Sequence, residues 1–169
     1  YKGLDQLFRI AAALPCTQFE AILNCQKAEL EYFKTRKRVP ENLLLLSRVD
    51  DLQSRYLDSF IVLNLSLSPW CVEAFALTVL EGFAAGCPCI VPPEGGHMDY
   101  FDKKAGIAVD SRQTGEVVRF IKELQANEER CRSCSRTALS ISSQYSASVY
   151  REQANEFFKH LVLRYMHTS

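Results

Sequence analysis

Two glutamates, Glu73 and Glu81, stand eight residues apart in a segment that is otherwise mostly apolar, VEAFALTVLEGFAAGCPCIVPPEGG. The apolar spacing predicts a helix over residues 73–86, in which Glu81 would lie about 12 Å beyond Glu73. Free backbone N–H groups and a partial positive charge suit the start of such a helix to a phosphate. Carboxylates accept hydrogen bonds from hydroxyl groups, so the pair could hold a sugar on one side of the phosphate and a ribose on the other.

Both glutamates also have a simpler, structural explanation. Glu73 could be an acidic residue at a helix start, where the helix dipole favours it, and Glu81 could be a solvated surface residue. The residues around Glu81 are nearly all apolar or small, which leaves it little solvated face. Because a charge in such surroundings needs a partner, we favour a functional role for Glu81.

The elements around this segment alternate between strands and helices. Helices are predicted at residues 3–15, 26–38, 50–59, 73–86, 114–125, 128–143 and 148–166, and strands at residues 17–24, 41–49, 60–66, 87–93 and 105–110. The consecutive leucines from Leu43 to Leu46 are typical of a strand that is buried on both faces in a parallel sheet. The order predicts an α/β fold, a Rossmann-like three-layer sandwich with a mostly parallel sheet and a helical C-terminus.

In such sheets, ligands bind where a strand ends and the chain enters the following helix. This rule selects three loops, which follow Leu46, Leu65 and Val91. Trp70 lies in the second loop, and we expect it either to line a ligand pocket or to pack the loop. His97 follows the third loop, and we expect an exposed loop histidine, with a substrate contact as the alternative.

The composition argues against several classes of protein. Twenty basic residues balance twenty acidic ones in the 169-residue chain, so no net charge attracts nucleic acid or an anionic membrane. No apolar run approaches the roughly 20 residues that cross a bilayer. We therefore expect a cytoplasmic protein that does not bind nucleic acid.

The seven cysteines, an odd number, are typical of reduced thiols rather than of a disulfide framework. Cys131 and Cys134 form a CxxC pair, but the only other close pair, Cys87 and Cys89, lacks the spacing that zinc sites use. The sequence also contains no Asp-x-Asp motif. We therefore expect neither a metal nor a cofactor.

The segment from Ser66 to Gly96 resembles the signature of retaining GT-B glycosyltransferases of family 4, group 1. In that family a strand precedes Glu-x-Phe-Gly-Leu-x-x-x-Glu, which is followed by Ala-x-Gly-x-Pro-Val-Ile and a Gly-Gly pair. The matching residues are Glu73, Phe75, Ala76, Leu77, Glu81, Ala85, Gly86, Pro88, Cys89, Ile90, Gly95 and Gly96. KGLDQLF near the start of the chain and NLLLLSRVDD at residues 42–51 are similar to two further segments of the family.

The resemblance implies a nucleotide-sugar site. It implies that Lys2 faces the donor diphosphate, that Glu73 is a catalytic residue in contact with the transferred sugar, and that Glu81 binds the ribose hydroxyls. Two further sets are implied to act through the backbone. The diphosphate-binding residues of this kind are Phe75, Ala76, Leu77 and Thr78. Beside the base, Ser47, Arg48 and Val49 join Glu81, whose carboxylate binds the ribose, as the nucleoside-binding residues.

The chain also departs from the family pattern. Ala76 stands where the family has glycine, and Asp99 takes the place of the glutamate that follows the Gly-Gly pair. The family enzymes place their active site between two domains, and residues 1–169 correspond to the C-terminal, donor-binding one. The resemblance implies that the N-terminal acceptor domain and the first strand of the donor domain lie outside this chain. Any peripheral membrane contact would be made through that absent half.

The sequence thus predicts the donor-binding domain of a retaining glycosyltransferase of the hexosyltransferase type, as used in polysaccharide biosynthesis. The sugar would pass from a nucleotide-sugar to a saccharide or lipid-linked acceptor, and the fragment alone is expected to be inactive. Two alternatives remain open, a GT-B-like nucleotide-sugar epimerase and a non-catalytic nucleotide-sugar-binding module. An epimerase would need an acid and a base that act on the sugar, and the sequence shows no obvious pair.

Overall fold

The computed structural model describes residues 2–67 and 72–166, with side chains through residue 160. Helices and strands alternate through most of this range. In chain order they are α1 (Leu4–Ala13), β1 (Phe19–Ile22), α2 (Lys27–Arg36), β2 (Leu43–Leu46), α3 (Leu52–Leu57), β3 (Val62–Leu63), α4 (Leu77–Ala84), β4 (Cys89–Val91), β5 (Gly106–Ala108), α5 (Thr114–Ala126), α6 (Glu128–Ser143) and α7 (Ala147–Met166).

All the strand pairs in the described residues are parallel. Strand β1 pairs with β2, and β4 lies between β3 and β5 in a three-stranded sheet. The prediction of an α/β fold with a mostly parallel sheet is therefore confirmed. The hydrogen-bonded ladder is in two pieces, however, because β1 and β3 are not paired with each other.

Helices cover both faces of the three-stranded sheet, as the side chains of β4 show. Ile90 packs into a core cluster with α1 and α5, whereas Cys89 and Val91 pack into a second cluster with α4 and α6. All three residues are buried. Since side chains alternate between the faces of a strand, the two clusters lie on opposite sides of the sheet, and the three-layer arrangement is confirmed.

The apolar spacing of the helices explains why they pack onto the sheet. In α5 the buried residues are Val117, Phe120, Ile121 and Leu124, which repeat at intervals of three and four and so share one face. The buried residues of α1 follow the same period and belong to the same cluster. These two helices together cover the sheet face that carries Ile90.

Strand β2 corrects one expectation, because it is not buried on both faces. Leu43 and Leu45 are buried, but Leu44 is 51% exposed. Its register partner is Glu20 on β1, and the Glu20 carboxylate pairs with Arg55 at 3.2 Å. This face of the two-stranded ladder therefore carries a solvated ion pair beside Leu44. The run of four leucines alone did not predict which face of the strand is buried.

A buried amide links the end of α1 to the start of β2. The side-chain nitrogen Nδ2 of Asn42 lies 3.0, 2.9 and 2.7 Å from the carbonyl oxygens of Ala11, Leu14 and Thr17. The Asn42 backbone carbonyl in turn accepts from the N–H of Phe19 at 2.8 Å. The Ala11 and Leu14 carbonyls also accept from the backbone N–H groups of Leu14 and Thr17. Asn42 therefore adds a second donor at the end of α1 and ties this end to the start of β2.

We predict that Asn42→Ala destabilises the domain by about 2–3 kcal/mol, because a buried amide loses its hydrogen bonds to three carbonyl groups at once. Urea unfolding followed by circular dichroism measures this change. The matched control is Asn24→Ala, since Asn24 is exposed and its loss should cost less than about 0.5 kcal/mol. Equal effects of the two substitutions would show that the Asn42 contacts contribute nothing specific.

Candidate functional site

The carboxylate of Glu73 joins two parts of the chain that are distant in sequence. Its Oε1 accepts a hydrogen bond from the Lys2 ammonium group, 71 positions away, and another from the Ser66 hydroxyl at 2.8 Å. Lys2 precedes α1, and Ser66 follows β3. The structure thus brings together Lys2 and Glu73, the two charged residues implied to face the diphosphate and the sugar.

Glycine at position 3 allows this approach. Gly3 has a left-handed φ of 80°, and a Cβ atom there would lie 2.2 Å from the carbonyl oxygen of Leu65. No other residue fits such a contact without displacing the strand end. The start of the chain is therefore seated directly on the carboxyl end of β3, which is where ligands bind in sheets of this type.

The Gly-Gly loop after β4 closes over the same region. The N–H of Gly96 donates to the Glu73 carbonyl at 2.8 Å. A Cβ atom at Gly96 would lie only 1.7 Å from the Ala74 carbonyl oxygen. The loop is thus in direct backbone contact with the segment that carries Glu73, and only glycine permits it.

Helix α4 begins later than the sequence predicts. The predicted start was Glu73, but the first helical residue is Leu77, and Ala76 before it has a left-handed φ of 56°. Glu73 therefore lies in the loop before the helix, and the separation of about 12 Å calculated for a continuous helix does not apply. Hydrophobic periodicity missed this boundary because the loop residues are as apolar as the helix.

The implied phosphate-binding residues consequently divide into two groups. Leu77 and Thr78 form the first turn of α4, where N–H groups lack helical partners, whereas Phe75 and Ala76 precede the helix. The Val79 N–H is already occupied by the Ala76 carbonyl at 2.9 Å. The donors left at the helix start are therefore the N–H groups of Ala76, Leu77 and Thr78, which make no hydrogen bond to the other described residues.

Glu81 has a partner that the sequence analysis missed. Its Oε2 accepts a hydrogen bond from the Tyr56 hydroxyl of α3 at 2.8 Å. Burial first, and then the bond to Glu81, raise the pKa of Tyr56, so this hydroxyl stays protonated. Glu81 itself is exposed, which corrects the expectation that it has little solvated face. No periodic pattern in a six-residue helix could have indicated Tyr56.

The implied nucleoside-binding loop is less connected. Ser47, Arg48 and Val49 follow β2 directly, as predicted. Within residues 2–67 and 72–160, no side-chain hydrogen bond or ion pair links them to Lys2 or Glu81. Trp70 lies outside the described residues.

His97 is buried, with an exposed fraction of 0%, which corrects the expectation of an exposed loop histidine. It lies in a short 3₁₀ helix at Gly96–Asp99. Its Nε2 is 2.9 Å from the Pro92 carbonyl oxygen, so Nε2 carries the proton, and Nδ1 has no partner in the part of the chain that the structure describes. The ring therefore braces the Gly-Gly loop from inside.

The site holds an ionised carboxylate. Partial burial acts to raise the pKa of Glu73, but the hydrogen bonds from Lys2 and Ser66 outweigh it and hold the pKa below its usual value of 4.5. An open cleft of about 700 Å³ lies elsewhere, along β5 and α5, and no implied donor-site residue lines it. The candidate site is instead an open surface at the strand ends, with a cation, an anion and a helix start close together.

A family model described as glycosyl transferases group 1 matches residues 1–140. The chain belongs to this family. The match includes every implied site residue and all five strands of the described fold. A search of curated proteins found no match, and no helix in the described residues is long and apolar enough to span a bilayer.

The chain is also similar to solved GT-B glycosyltransferase structures. HepE from Anabaena, in complex with UDP, has a TM-score of 0.81 at 18% identity over 95% of this chain and 46% of its own. Sucrose-phosphate synthase from Thermosynechococcus elongatus has a TM-score of 0.79 at 17% identity, over 96% of this chain and 43% of its own. This chain therefore spans less than half the length of either structure.

A third similar structure is a single domain. The C-terminal domain of a glycosyl transferase group 1 family protein, LpcC from Francisella tularensis, has a TM-score of 0.67 at 18% identity. The match covers 86% of this chain and 80% of that domain. The fold is therefore that of a Rossmann-like C-terminal domain of GT-B type.

We predict that Glu73 supports stability at neutral pH and loses this effect in acid. Because its pKa is lower in the folded state, its stabilisation is fully present above its usual value of 4.5 and is lost as the pH falls through the lowered folded value. At pH 7 the free energy of unfolding of wild type should exceed that of Glu73→Gln by up to about 1 kcal/mol. The expected difference is small because Lys2 is solvated.

Urea unfolding at pH 7 and at about pH 3 measures the difference between the two proteins, which should shrink in acid. Glu41→Gln is the control, since Glu41 is exposed in the turn before β2. A difference between wild type and Glu73→Gln that does not change with pH would contradict the assigned hydrogen bonds.

Proposed function

We propose that this chain is the donor-binding domain of a retaining glycosyltransferase that moves a sugar from a nucleotide-sugar to a saccharide or lipid-linked acceptor. One observation carries the proposal, the junction of Lys2 and Glu73 at the carboxyl end of β3, next to the start of α4. It combines a solvated cation for phosphate with a carboxylate for hydroxyl groups. HepE, which shares the fold, was solved with UDP and with UDP-glucose.

The phosphate-binding role is assigned to Lys2 and to the start of α4. A diphosphate that enters the site would attract the Lys2 ammonium group away from Glu73, and the free N–H groups of Leu77 and Thr78 would complete its coordination. Lys2 is more than half exposed, so solvent can replace part of its contacts as its side chain turns. As the bond to the sugar breaks, these donors and Arg48 would balance the charge that develops on the leaving diphosphate.

The sugar-binding role is assigned to Glu73. Its Oε1 already accepts two hydrogen bonds, while Oε2 accepts none from the residues that the structure describes. Oε2 is therefore the atom that we assign to a sugar hydroxyl. Ser66, which is nearly fully buried, would keep the carboxylate in place when Lys2 turns toward the diphosphate.

The nucleoside would lie on the other side of the helix start. Glu81 keeps Oε1 for a ribose hydroxyl while Oε2 accepts from Tyr56. The loop at Ser47, Arg48 and Val49 would pass beside the base. The chain contains no Asp-x-Asp motif, and we propose a transfer that needs neither a metal nor a cofactor.

A second domain would complete the active site in our proposal. The chain spans 46% of HepE, and the family resemblance assigns the acceptor site to an N-terminal domain. The unpaired edges of β1 and β3 in the described ladders also suit a further strand supplied by residues outside this chain. Such a domain would close over the donor and exclude water from the reaction.

We predict that Glu73 and Glu81 differ in which ligands they serve. Glu81→Ala should weaken the binding of UDP and of UDP-glucose by the same amount, about 1.5–3 kcal/mol, because both ligands lose a hydrogen bond to a charged group. Glu73→Ala should leave the affinity for UDP unchanged or slightly improve it, since a negative charge near the phosphates is removed. Calorimetry with both ligands measures the four affinities.

Glu116→Ala is the control, because Glu116 is exposed and lies on α5 beside the separate cleft. If Glu73→Ala lowered the affinity for both ligands equally, the assignment of Glu73 to the sugar would be refuted. If Glu81→Ala lowered the affinity for neither ligand, the assignment of Glu81 to the ribose would be wrong. The same titrations with other nucleoside diphosphates identify the base.

We also predict that this chain alone binds a nucleoside diphosphate without turning over a donor. Its dissociation constant should be on the order of 0.1–1 mM, or about 4–5.5 kcal/mol of binding free energy, because contacts from a second domain are missing. NMR titration with UDP measures the binding, and product analysis with a nucleotide-sugar measures turnover. Turnover equal to that of a longer, two-domain protein would contradict the need for that domain.

A further inference from the structure

Ala76 holds a backbone conformation that its side chain disfavours. With φ 56° and ψ 62° it is the one non-glycine residue of positive φ among the described residues. Residues with a Cβ atom pay a steric penalty in this region, and such conformations persist only where the surroundings enforce them. Ala76 is the residue that turns the chain into α4, so its conformation decides where the helix start points.

The Tyr100 hydroxyl supplies that enforcement. It lies 2.7 Å from the carbonyl oxygen of Phe75 and 3.0 Å from that of Ala76. These carbonyls belong to the peptide units on either side of the Ala76 Cα, so a donor shared between them fixes both dihedral angles. Burial raises the pKa of Tyr100, so the hydroxyl keeps the proton that it donates.

The same two peptide units carry N–H groups of the donor site. The unit with the Phe75 carbonyl contains the Ala76 N–H, and the unit with the Ala76 carbonyl contains the Leu77 N–H. Because a peptide unit is planar, a hydrogen bond that fixes the carbonyl also fixes the direction of the N–H. Tyr100 thereby fixes the direction of the Ala76 and Leu77 N–H groups without contacting a ligand itself.

We propose that Tyr100 is a positioning residue for diphosphate binding, which acts by holding Ala76 in its left-handed conformation so that the Ala76 and Leu77 N–H groups point at the phosphates. The proposal rests on the function proposed above for this site. Tyr100 lies 24 positions from Ala76 in sequence, in the segment that follows the Gly-Gly loop. The loop and the helix start are thus two parts of one phosphate-binding frame.

The neighbouring aromatic rings provide a matched control. The Tyr100 ring packs against Phe75 at 5.6 Å and Tyr145 at 5.4 Å between centroids. The Tyr145 hydroxyl has no hydrogen-bond partner within the described ranges. Tyr145→Phe therefore removes the same atom from the same cluster as Tyr100→Phe, but without loss of a bond to the backbone.

The test is a double-mutant cycle on UDP binding with Tyr100→Phe, Ala76→Gly and the pair. Tyr100→Phe should lower the affinity for UDP about 3- to 10-fold, which is the effect of one lost hydrogen bond. It should change the affinity for uridine, which has no phosphate, by less than about 2-fold. In the Ala76→Gly background the loss should fall below about 2-fold, since glycine adopts a left-handed conformation without support. Tyr145→Phe should bind as wild type does.

If Tyr100→Phe cost the same affinity in the wild-type and Ala76→Gly backgrounds, or weakened UDP and uridine equally, the proposal would be overturned. Tyr100 would then be a general stabiliser of the fold. No loss in any background would overturn the proposal as well. Thermal unfolding of each variant separates these results from simple unfolding.

A second readout separates this proposal from the proposed function. Amide hydrogen exchange of Val79, whose N–H donates to the Ala76 carbonyl at 2.9 Å, should be faster in Tyr100→Phe than in Tyr145→Phe, with or without a ligand. If wild type bound no nucleoside diphosphate while exchange changed as expected, the proposed function would fail but the backbone role of Tyr100 would stand. Unchanged exchange at the Val79 amide would refute that role directly.

Discussion

The arrangement of the candidate site depends on one carboxylate and the backbone next to it. The Glu73 side chain accepts from Lys2 and Ser66, and the Glu73 carbonyl accepts from the Gly96 N–H. Through these bonds the start of the chain, the end of β3 and the loop after β4 meet at one residue. A charge that is shared among several donors is well stabilised although it is only partly buried, which explains how an open surface can hold an ordered constellation.

The same arrangement carries a built-in competition. In the proposed function, a bound diphosphate would compete with Glu73 for the Lys2 ammonium group. Since the ion pair is solvated, its strength is modest. Ser66 would remain as a donor to the Glu73 carboxylate if Lys2 turned toward the diphosphate.

Sequence reasoning predicted the fold class and much of the site, since both depend on local patterns. The alternation of strands and helices indicated the parallel α/β arrangement, and the spacing of apolar residues indicated the faces of α1 and α5. The features that it missed depend on contacts across the fold. The late start of α4 coincides with the left-handed Ala76, whose carbonyl lies against the Tyr100 hydroxyl. The partner of Glu81 comes from α3, and the buried His97 contacts the Pro92 carbonyl. Leu44 was misread because the face of the ladder that it shares with Glu20 is open to solvent.

The separation of the sheet into two ladders has a mechanical consequence. The loop at Ser47–Val49 belongs to the β1–β2 piece, while Glu73 and the start of α4 belong to the β3–β4–β5 piece. Between the pieces, the contacts are made by side chains, which include the shared apolar core and the Tyr56–Glu81 hydrogen bond. Such contacts lack the directional stiffness of a backbone ladder. In the proposed site, the distance between the base-binding loop and the phosphate-binding helix start would therefore be less rigidly fixed than distances within either ladder. A strand inserted between β1 and β3 would join the two ladders into one continuous sheet. It would then also fix the distance between the two ends of the proposed nucleotide site.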